Sequence, residues 1–309
     1  MKLIITIPAY NEEKSVGAVI RGIPEKIEGI DEISILVIND GSLDRTAEEA
    51  KQAGADRILS HTTNMGLAVS FRDGLNESLA MGADIIVNID ADLQYNCREI
   101  PHLIKPILER RAEIVLGDRQ IDKISHMPRG NLWGNKIATG IIRMITGLPI
   151  RDAQTGFRAF SRDAAARIHL TGDYTYTQET LIQAANKKIP IAQIPVEFHR
   201  RGDSSRLISS IFQYARYAGI TLFRSVGTYH PFMVFMSIGL GFIVAGLVFG
   251  FRVIAHFFNT GLVTPYLPSA LLTTVLLILG GLSMLFALLA DMNRTQRMLS
   301  EEILYRLKK

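Results

Sequence analysis

Two aspartates one residue apart, Asp90 and Asp92, follow the run Ile85-Ile86-Val87-Asn88-Ile89, with Gln94 two residues further on. Like charges this close raise each other's pKa unless a cation holds them. Oxygen donors of this kind suit Mg2+ or Mn2+, and such an ion commonly bridges the phosphates of a nucleotide. An Asp-x-Asp by itself is also a common solvated loop pair, so its meaning depends on what positions it. The run before it is short, apolar and bounded by Gly82, which predicts a strand buried on both faces. The carboxyl end of such a strand is where ligands gather in open α/β sheets.

The elements that must position this pair alternate along the first part of the chain. Leu3–Ile7 predicts a first strand stopped by Pro8, and Pro8-Ala9-Tyr10-Asn11-Glu12-Glu13 a turn into a helix ending at Gly22. Ile33–Asn39 predicts a second strand, followed by Asp40-Gly41-Ser42 and a helix that Asp44 can cap. A third strand near Arg57–Ser60 leads through Asn64-Met65-Gly66 into a helix ending about Gly82, before the strand that carries the aspartates. A fifth falls at Glu113–Gly117. Helices are expected over about Leu132–Thr146 and Gln178–Lys187, and a closing strand at Ile191–Val196. This alternation predicts an α/β domain with a mostly parallel, Rossmann-like sheet and helices on both faces, over residues 1–203. No G-x-G-x-x-G follows the first strand and no Walker loop occurs, which removes the main support for dinucleotide and P-loop readings.

Composition divides the 309 residues unevenly. The apolar excess sits almost wholly after His230. The formal charge of +4 gives no reason to expect a nucleic-acid partner, and no nucleic-acid motif occurs. The single cysteine, Cys97, excludes an internal disulfide and reads as a packing residue. Met1–Pro8 has no signal-peptide features, so the amino-terminal domain is expected in the cytoplasm. Residues 204–229 interleave Leu207, Ile208, Ile211 and Phe212 with Arg206, Arg216 and Arg224, the composition of a helix lying in a membrane interface. An ordinary surface helix is the alternative. Residues 230–291 predict a transmembrane hairpin, with spans at about 231–251 and 267–290, each long enough for a ~30 Å hydrocarbon core. Ser237, Gly241 and Ala245 recur every fourth residue, as do Gly246 and Gly250, a spacing that would let helices approach closely. No Lys or Arg falls from His256 to Pro268. Arg216 and Arg224 precede the spans, and Arg294, Arg297, Arg306, Lys308 and Lys309 follow them. The positive-inside rule then places both ends, including a basic tail at 292–309, in the cytoplasm of a two-span protein of the cell membrane.

The ordered set Ile7-Pro8-Ala9-Tyr10-Asn11-Glu12, Asn39-Asp40-Gly41-Ser42, Asp90-Ala91-Asp92-Leu93-Gln94 and Thr155-Gly156-Phe157-Arg158 resembles family 2 glycosyltransferases of the GT-A fold. Within them it is similar to polyprenyl-phosphate glycosyltransferases of the dolichyl-phosphate mannose synthase kind, over about residues 1–230. The resemblance implies transfer of a hexose from a nucleotide sugar to a polyprenyl phosphate. Pro8, Ala9, Tyr10 and Glu12 would hold the base and ribose, and Asp40 would accept a hydrogen bond from the base. Asp90 and Asp92, the catalytic pair, would hold Mg2+ or Mn2+ on the diphosphate with Gln94. Arg119, Arg129, Arg201 and Arg206 would meet the acceptor phosphate, unless they form a solvated basic rim facing anionic lipid. Two departures stand out: Tyr95-Asn96-Cys97 where the family often has His-Pro-Pro, and Leu67 where a basic residue is frequent. His61, His126 and His199 read as structural.

A lipid monophosphate is already largely ionised at neutral pH, its second pKa being about 6. Direct in-line attack on the anomeric carbon, with inversion, then needs no protein nucleophile. A processive polysaccharide synthase would carry Gln-x-x-Arg-Trp and a multi-span channel, whereas the only tryptophan here is Trp133. The reading from another class is a silent subunit that binds polyprenyl phosphate beside a flippase. A homo-oligomer remains possible, and the sugar and nucleotide base are left open.

Overall fold

β1 (Lys2–Ala9) runs two residues beyond its expected end, straight through Pro8, whose register partner is Ile38. The carbonyl of Thr6 accepts from Ile89, on the β4 side, and that of Ala9 from Asp40, on the β2 side. Backbone groups alternate sides along a strand, so Pro8 turns its missing N–H toward β4, whose ladder has already ended at Thr6–Asn88. No hydrogen bond is lost there. The computed structural model describes residues 1–123, 129–170, 176–199 and 231–308, so the expected interfacial segment at 204–229 lies outside the described residues.

From β1, α1 (Val16–Gly22) leads to β2 (Glu32–Asn39), α2 (Thr46–Gln52) to β3 (Arg57–Ser60), and α3 (Leu67–Ala80) to β4 (Ile85–Asn88). All four residues of β4 are buried. After it come α4 (Ile100–Leu108), β5 (Ile114–Asp118), α5 (Arg129–Thr146), β6 (Arg158–Ser161), α6 (Arg162–Arg167), α7 (Tyr176–Asn186) and β7 (Ile191–Pro195). Among the described residues the sheet has seven strands, in the order β3-β2-β1-β4-β6-β5-β7. Pairings are parallel except that β6 runs antiparallel to both β4 and β5. This is the GT-A-type mixed sheet. Its order reverses between β1 and β4, which opens a crevice at their carboxyl ends. The core beneath is aliphatic: Leu3, Ile5, Ile7, Val37, Ile85, Val87, Leu103 and Val115 are all fully buried.

The chain divides into two units, Met1–Thr221 with Ile303–Lys309, and Leu222–Glu302. The second unit contains α8 (Pro231–Thr260) and most of α9 (Leu267–Lys308). Both helices are long and apolar enough to cross a membrane, with a mean hydropathy of 2.4 over the most apolar 18 residues of each. Only 11% of the most apolar window of each is covered, which distinguishes them from core helices of a soluble domain. α8 extends well past residue 251, and the expected basic tail continues α9 as helix.

The glycine spacing is corrected in part. A Cβ on Gly239 would stand 2.9 Å from the Gly280 carbonyl, and one on Gly280 3.0 Å from that of Gly239. Gly246 and Gly250 meet Leu277 and Thr273 in the same way, while Gly241 has nothing within 4 Å. Seven residues return a helix to nearly the same face, which aligns Gly239 with Gly246; Gly241 lies about 200° round from Gly239. The contact stripe is Gly239-Gly246-Gly250, and Ser237 and Gly241 face outward.

Candidate active site

The chemistry-bearing residues collect at the carboxyl edge of the parallel strands. β1 delivers Tyr10–Glu12, β2 delivers Asp40–Ser42, β4 delivers Asp90 and Asp92, and β5 delivers Asp118–Arg119. β6, being antiparallel, brings its amino end and the preceding Thr155-Gly156 turn to the same edge.

The β1 and β2 loops lock together through backbone donors. Asn11 N–H donates to Ser42 Oγ at 3.0 Å, Leu43 N–H to Asn11 Oδ1 at 2.9 Å and Glu12 N–H to Thr46 Oγ1 at 2.8 Å. Asn11 has φ +53, a left-handed geometry that asparagine tolerates better than most residues. Glu12 accepts from the Ser15 hydroxyl at 2.7 Å, and Tyr10 remains partly exposed above the loop.

Asp40, the expected acceptor for the base, is already engaged with protein groups. Its carboxylate accepts from the backbone of Met65 at 2.8 Å and of Gly66 at 2.9 Å, and meets His61 Nδ1 at 2.7 Å. At 4% exposed it holds the 61–66 loop at the carboxyl end of β2. His61 Nε2 lies 3.3 Å from Asp73 Oδ2, out of hydrogen-bond alignment. Gly41 completes the lock. It has φ +69, and a Cβ there would fall 2.4 Å from the Thr63 backbone. Leu67, the departure from a basic residue, opens α3 directly behind this loop.

Asp90 and Asp92 are half-buried in the turn that leaves β4. Asp92 Oδ1 accepts from Gln94 N–H at 3.1 Å, and Leu93 between them holds φ +62 with its side chain exposed. A leucine in that region carries backbone strain of order 1–2 kcal/mol. Gln94 donates its amide to the His199 carbonyl at 3.4 Å, which leaves Oε1 as the atom able to meet a cation. Asp90 lies on Gly156, where a Cβ would come within 2.5 Å of Oδ2 and 2.8 Å of Oδ1. Among the described residues no group of three or more His, Cys, Asp or Glu is placed to hold a metal ion. Two carboxylates and an amide oxygen fit a hard, six-coordinate cation only if phosphate and water supply the remaining positions.

Beneath Asp90 is a polar layer that sequence reasoning did not assign. Tyr95 is buried, with its hydroxyl 3.1 Å from Gly156 N and 3.3 Å from Thr155 Oγ1. Burial pushes its phenol up to about 12, so it stays neutral and can donate. Asn88 donates to the Gly156 carbonyl at 2.9 Å. Arg158 is fully buried and donates to the carbonyls of Thr155 at 2.8 Å, Thr177 at 2.8 Å and Ala153 at 3.0 Å. Burial pulls its guanidinium down to about 10, and it remains charged at neutral pH. The sequence signal for this layer was the Thr155-Gly156-Phe157-Arg158 motif that carries part of the family resemblance.

Arg119 is anchored from one side by a carboxylate. Its Nε and Nη2 form a fork on Asp152, at 2.6 and 2.9 Å, beneath which the Phe198 ring lies 5.2 Å from Cζ. Burial alone would lower its pKa; the Tyr95 and Asp152 oxygens around it more than reverse that, and it stays charged. Asp152, a side chain with no exposure at all, was not singled out. Arg129 opens α5, but its side chain, together with all of Arg201 and Arg206, lies outside the described residues, as does His126.

The sequence profile described as glycosyl transferase family 2 matches residues 4–168. The chain belongs to this family. As a family 2 glycosyltransferase it is similar to the UDP-N-acetylglucosamine–dolichyl-phosphate N-acetylglucosaminyltransferase of Methanococcus voltae, at 30% identity over 63% of this chain and 85% of that one. It is similar also to the dolichyl-phosphate hexose transferase of Haloferax volcanii, at 29% identity over 66% of this chain and 86% of the relative. Among solved structures, the glucosyl-3-phosphoglycerate synthase of Mycobacterium tuberculosis in complex with Mn2+, UDP-glucose and phosphoglyceric acid superposes with a TM-score of 0.57. That match has 22% identity and covers 73% of this chain and 80% of the synthase, a likeness of fold.

Proposed function

We propose that this family 2 glycosyltransferase moves a hexose from a nucleotide sugar to a polyprenyl phosphate at the cytoplasmic face of a membrane, with inversion and with Mg2+ or Mn2+. The observation that carries the reading is the Asp90–Asp92 turn, set on Gly156 at the β1/β4 switch point beside the interlocked β1 and β2 loops. The relatives named for dolichyl-phosphate transfer and the two apolar helices support a lipid acceptor.

Tyr10 and Glu12 would hold the nucleoside, within a pocket whose wall is the 61–66 loop held by Asp40. Asp90, Asp92 and the Gln94 Oε1 would hold the divalent ion. When bound, that ion supplies Lewis-acid stabilisation of the departing nucleoside diphosphate. The acceptor phosphate is its own nucleophile, so the protein's part is to orient it and keep water away. Arg119 has three N–H donors outside its Asp152 fork, and it can turn these toward a phosphate while Asp152 fixes the plane of the guanidinium. Arg129, Arg201 and Arg206 are proposed as its companions.

The deciding experiment incubates the purified full chain with Mn2+, dolichyl or undecaprenyl phosphate and each labelled nucleotide sugar. A labelled lipid is expected with one donor. Lipid binding without any sugar transfer or donor hydrolysis would establish the silent-subunit reading instead.

A further inference from the structure

Arg252 is the only Asp, Glu, Lys or Arg between residues 231 and 290. It stands roughly 21 residues along α8 from Pro231, about 32 Å at 1.5 Å per residue, one hydrocarbon thickness from the start of the helix. At that depth a cation meets the headgroup layer, and this stretch of chain supplies no acidic side chain to pair with it. Nor does Arg252 hang free. Its Cζ lies 4.6 Å from the centre of the Tyr266 ring, and Nη2 is 3.5 Å from the Tyr266 hydroxyl. His256, one helical turn on, meets the other edge of Tyr266 at 4.8 Å and 82°. Its Nε2 is 3.0 Å from the Thr264 carbonyl. Stacking fixes the plane of the guanidinium but does not neutralise it. Among the described residues, Nη2 alone of its donor atoms approaches a side-chain hydrogen-bond partner.

We infer that Arg252, oriented by Tyr266 and His256, binds the phosphate of a membrane phospholipid headgroup at the loop end of the hairpin, in the leaflet opposite the proposed catalytic face. A planar fork of fixed orientation matches a phosphate better than a freely rotating point charge would. The headgroup layer is where the helix length places it. An acidic protein partner would also satisfy the charge, but the exposed apolar surface on both sides of the cluster, including Phe251, Ile254 and Leu262, favours acyl chains around the site. The inference rests on the hairpin crossing a membrane.

The test uses the full chain in mild detergent, stripped of lipid and titrated with phosphatidylglycerol or with diacylglycerol of the same acyl chains, with bound lipids counted by native mass spectrometry. Arg252→Gln is expected to weaken one phosphatidylglycerol site roughly ten- to hundredfold, with diacylglycerol binding unchanged. Arg252→Lys should fall between the two, because it keeps the charge and loses the fork. Inorganic phosphate at the same concentration should not displace the lipid. Equal phosphatidylglycerol binding by wild type and Arg252→Gln would overturn the site, and so would displacement by inorganic phosphate alone. Release of the wild-type chain from membranes by alkaline carbonate would overturn the hairpin reading and the site with it. A carbonate-resistant chain with unchanged lipid binding would overturn the site alone.

Discussion

Asp90 presses both carboxylate oxygens against Gly156, and that contact separates catalytic from structural roles at a single position. In Gly156→Ala the added carbon would meet the end of a side chain that can rotate, so Asp90 moves and the backbone stays. Thermal stability should change little, while affinity for Mn2+, followed by titrating transfer activity, should fall roughly ten- to hundredfold. Asp92→Asn tests the partner acid. A neutral amide cannot offset a divalent charge, so turnover should drop roughly hundred- to thousandfold with weaker donor binding. Turnover at the wild-type level would remove the metal assignment. The acids themselves were legible as residues, because two carboxylates at the end of an apolar run are unusual. Their support was not: Tyr95 meets Thr155 and Asn88 meets Gly156 across 60 and 68 residues of sequence, which no spacing rule reveals.

At the scale of elements, short parallel strands with aliphatic runs were readable, and β6 was not. Its four residues, Arg-Ala-Phe-Ser, begin with a fully buried arginine, so the hydrophobic pattern that marks a strand is missing. Arg158 is tolerated there because three backbone carbonyls accept from it. The hairpin gives a second case. Spacing alone offered two small-residue stripes, and the helix crossing chose between them. In Gly280→Leu the side chain would begin 2.6 Å from Ile243 Cγ1 and 3.0 Å from the Gly239 backbone, and the helices must part. The expected loss is about 1–3 kcal/mol, read as a lower unfolding temperature in detergent. Gly241→Leu, with nothing within 4 Å, should be close to neutral. Equal effects would place the stripe wrongly.

For the whole molecule, the proposed hairpin makes a claim about the side of a membrane that its loop occupies. Asn259 lies exposed in the last turn of α8. With both ends cytoplasmic, Asn259→Cys in intact cells should react with an impermeant thiol reagent. Cys97 provides a quiet background, since it is buried and burial pushes its thiol up to about 11, leaving about one part in a thousand as thiolate near pH 8. Labelling of the Asn259→Cys chain only after lysis would reverse the orientation.

Sequence by itself determined the alternation of strand and helix, the acidic turn after the fourth strand and the two apolar helices. Each is a local pattern, set by side-chain period or by the length of an uncharged run. Tertiary structure alone decided the roles of individual polar residues. Asp40 and Arg119 have the chemistry of ligands, yet the fold turns Asp40 onto the 61–66 loop and Arg119 onto Asp152. A buried charge takes whatever partner packing brings within 3 Å, because leaving it unpaired costs several kcal/mol. Which partner that is depends on strand order, and strand order is not written in any one stretch of the chain.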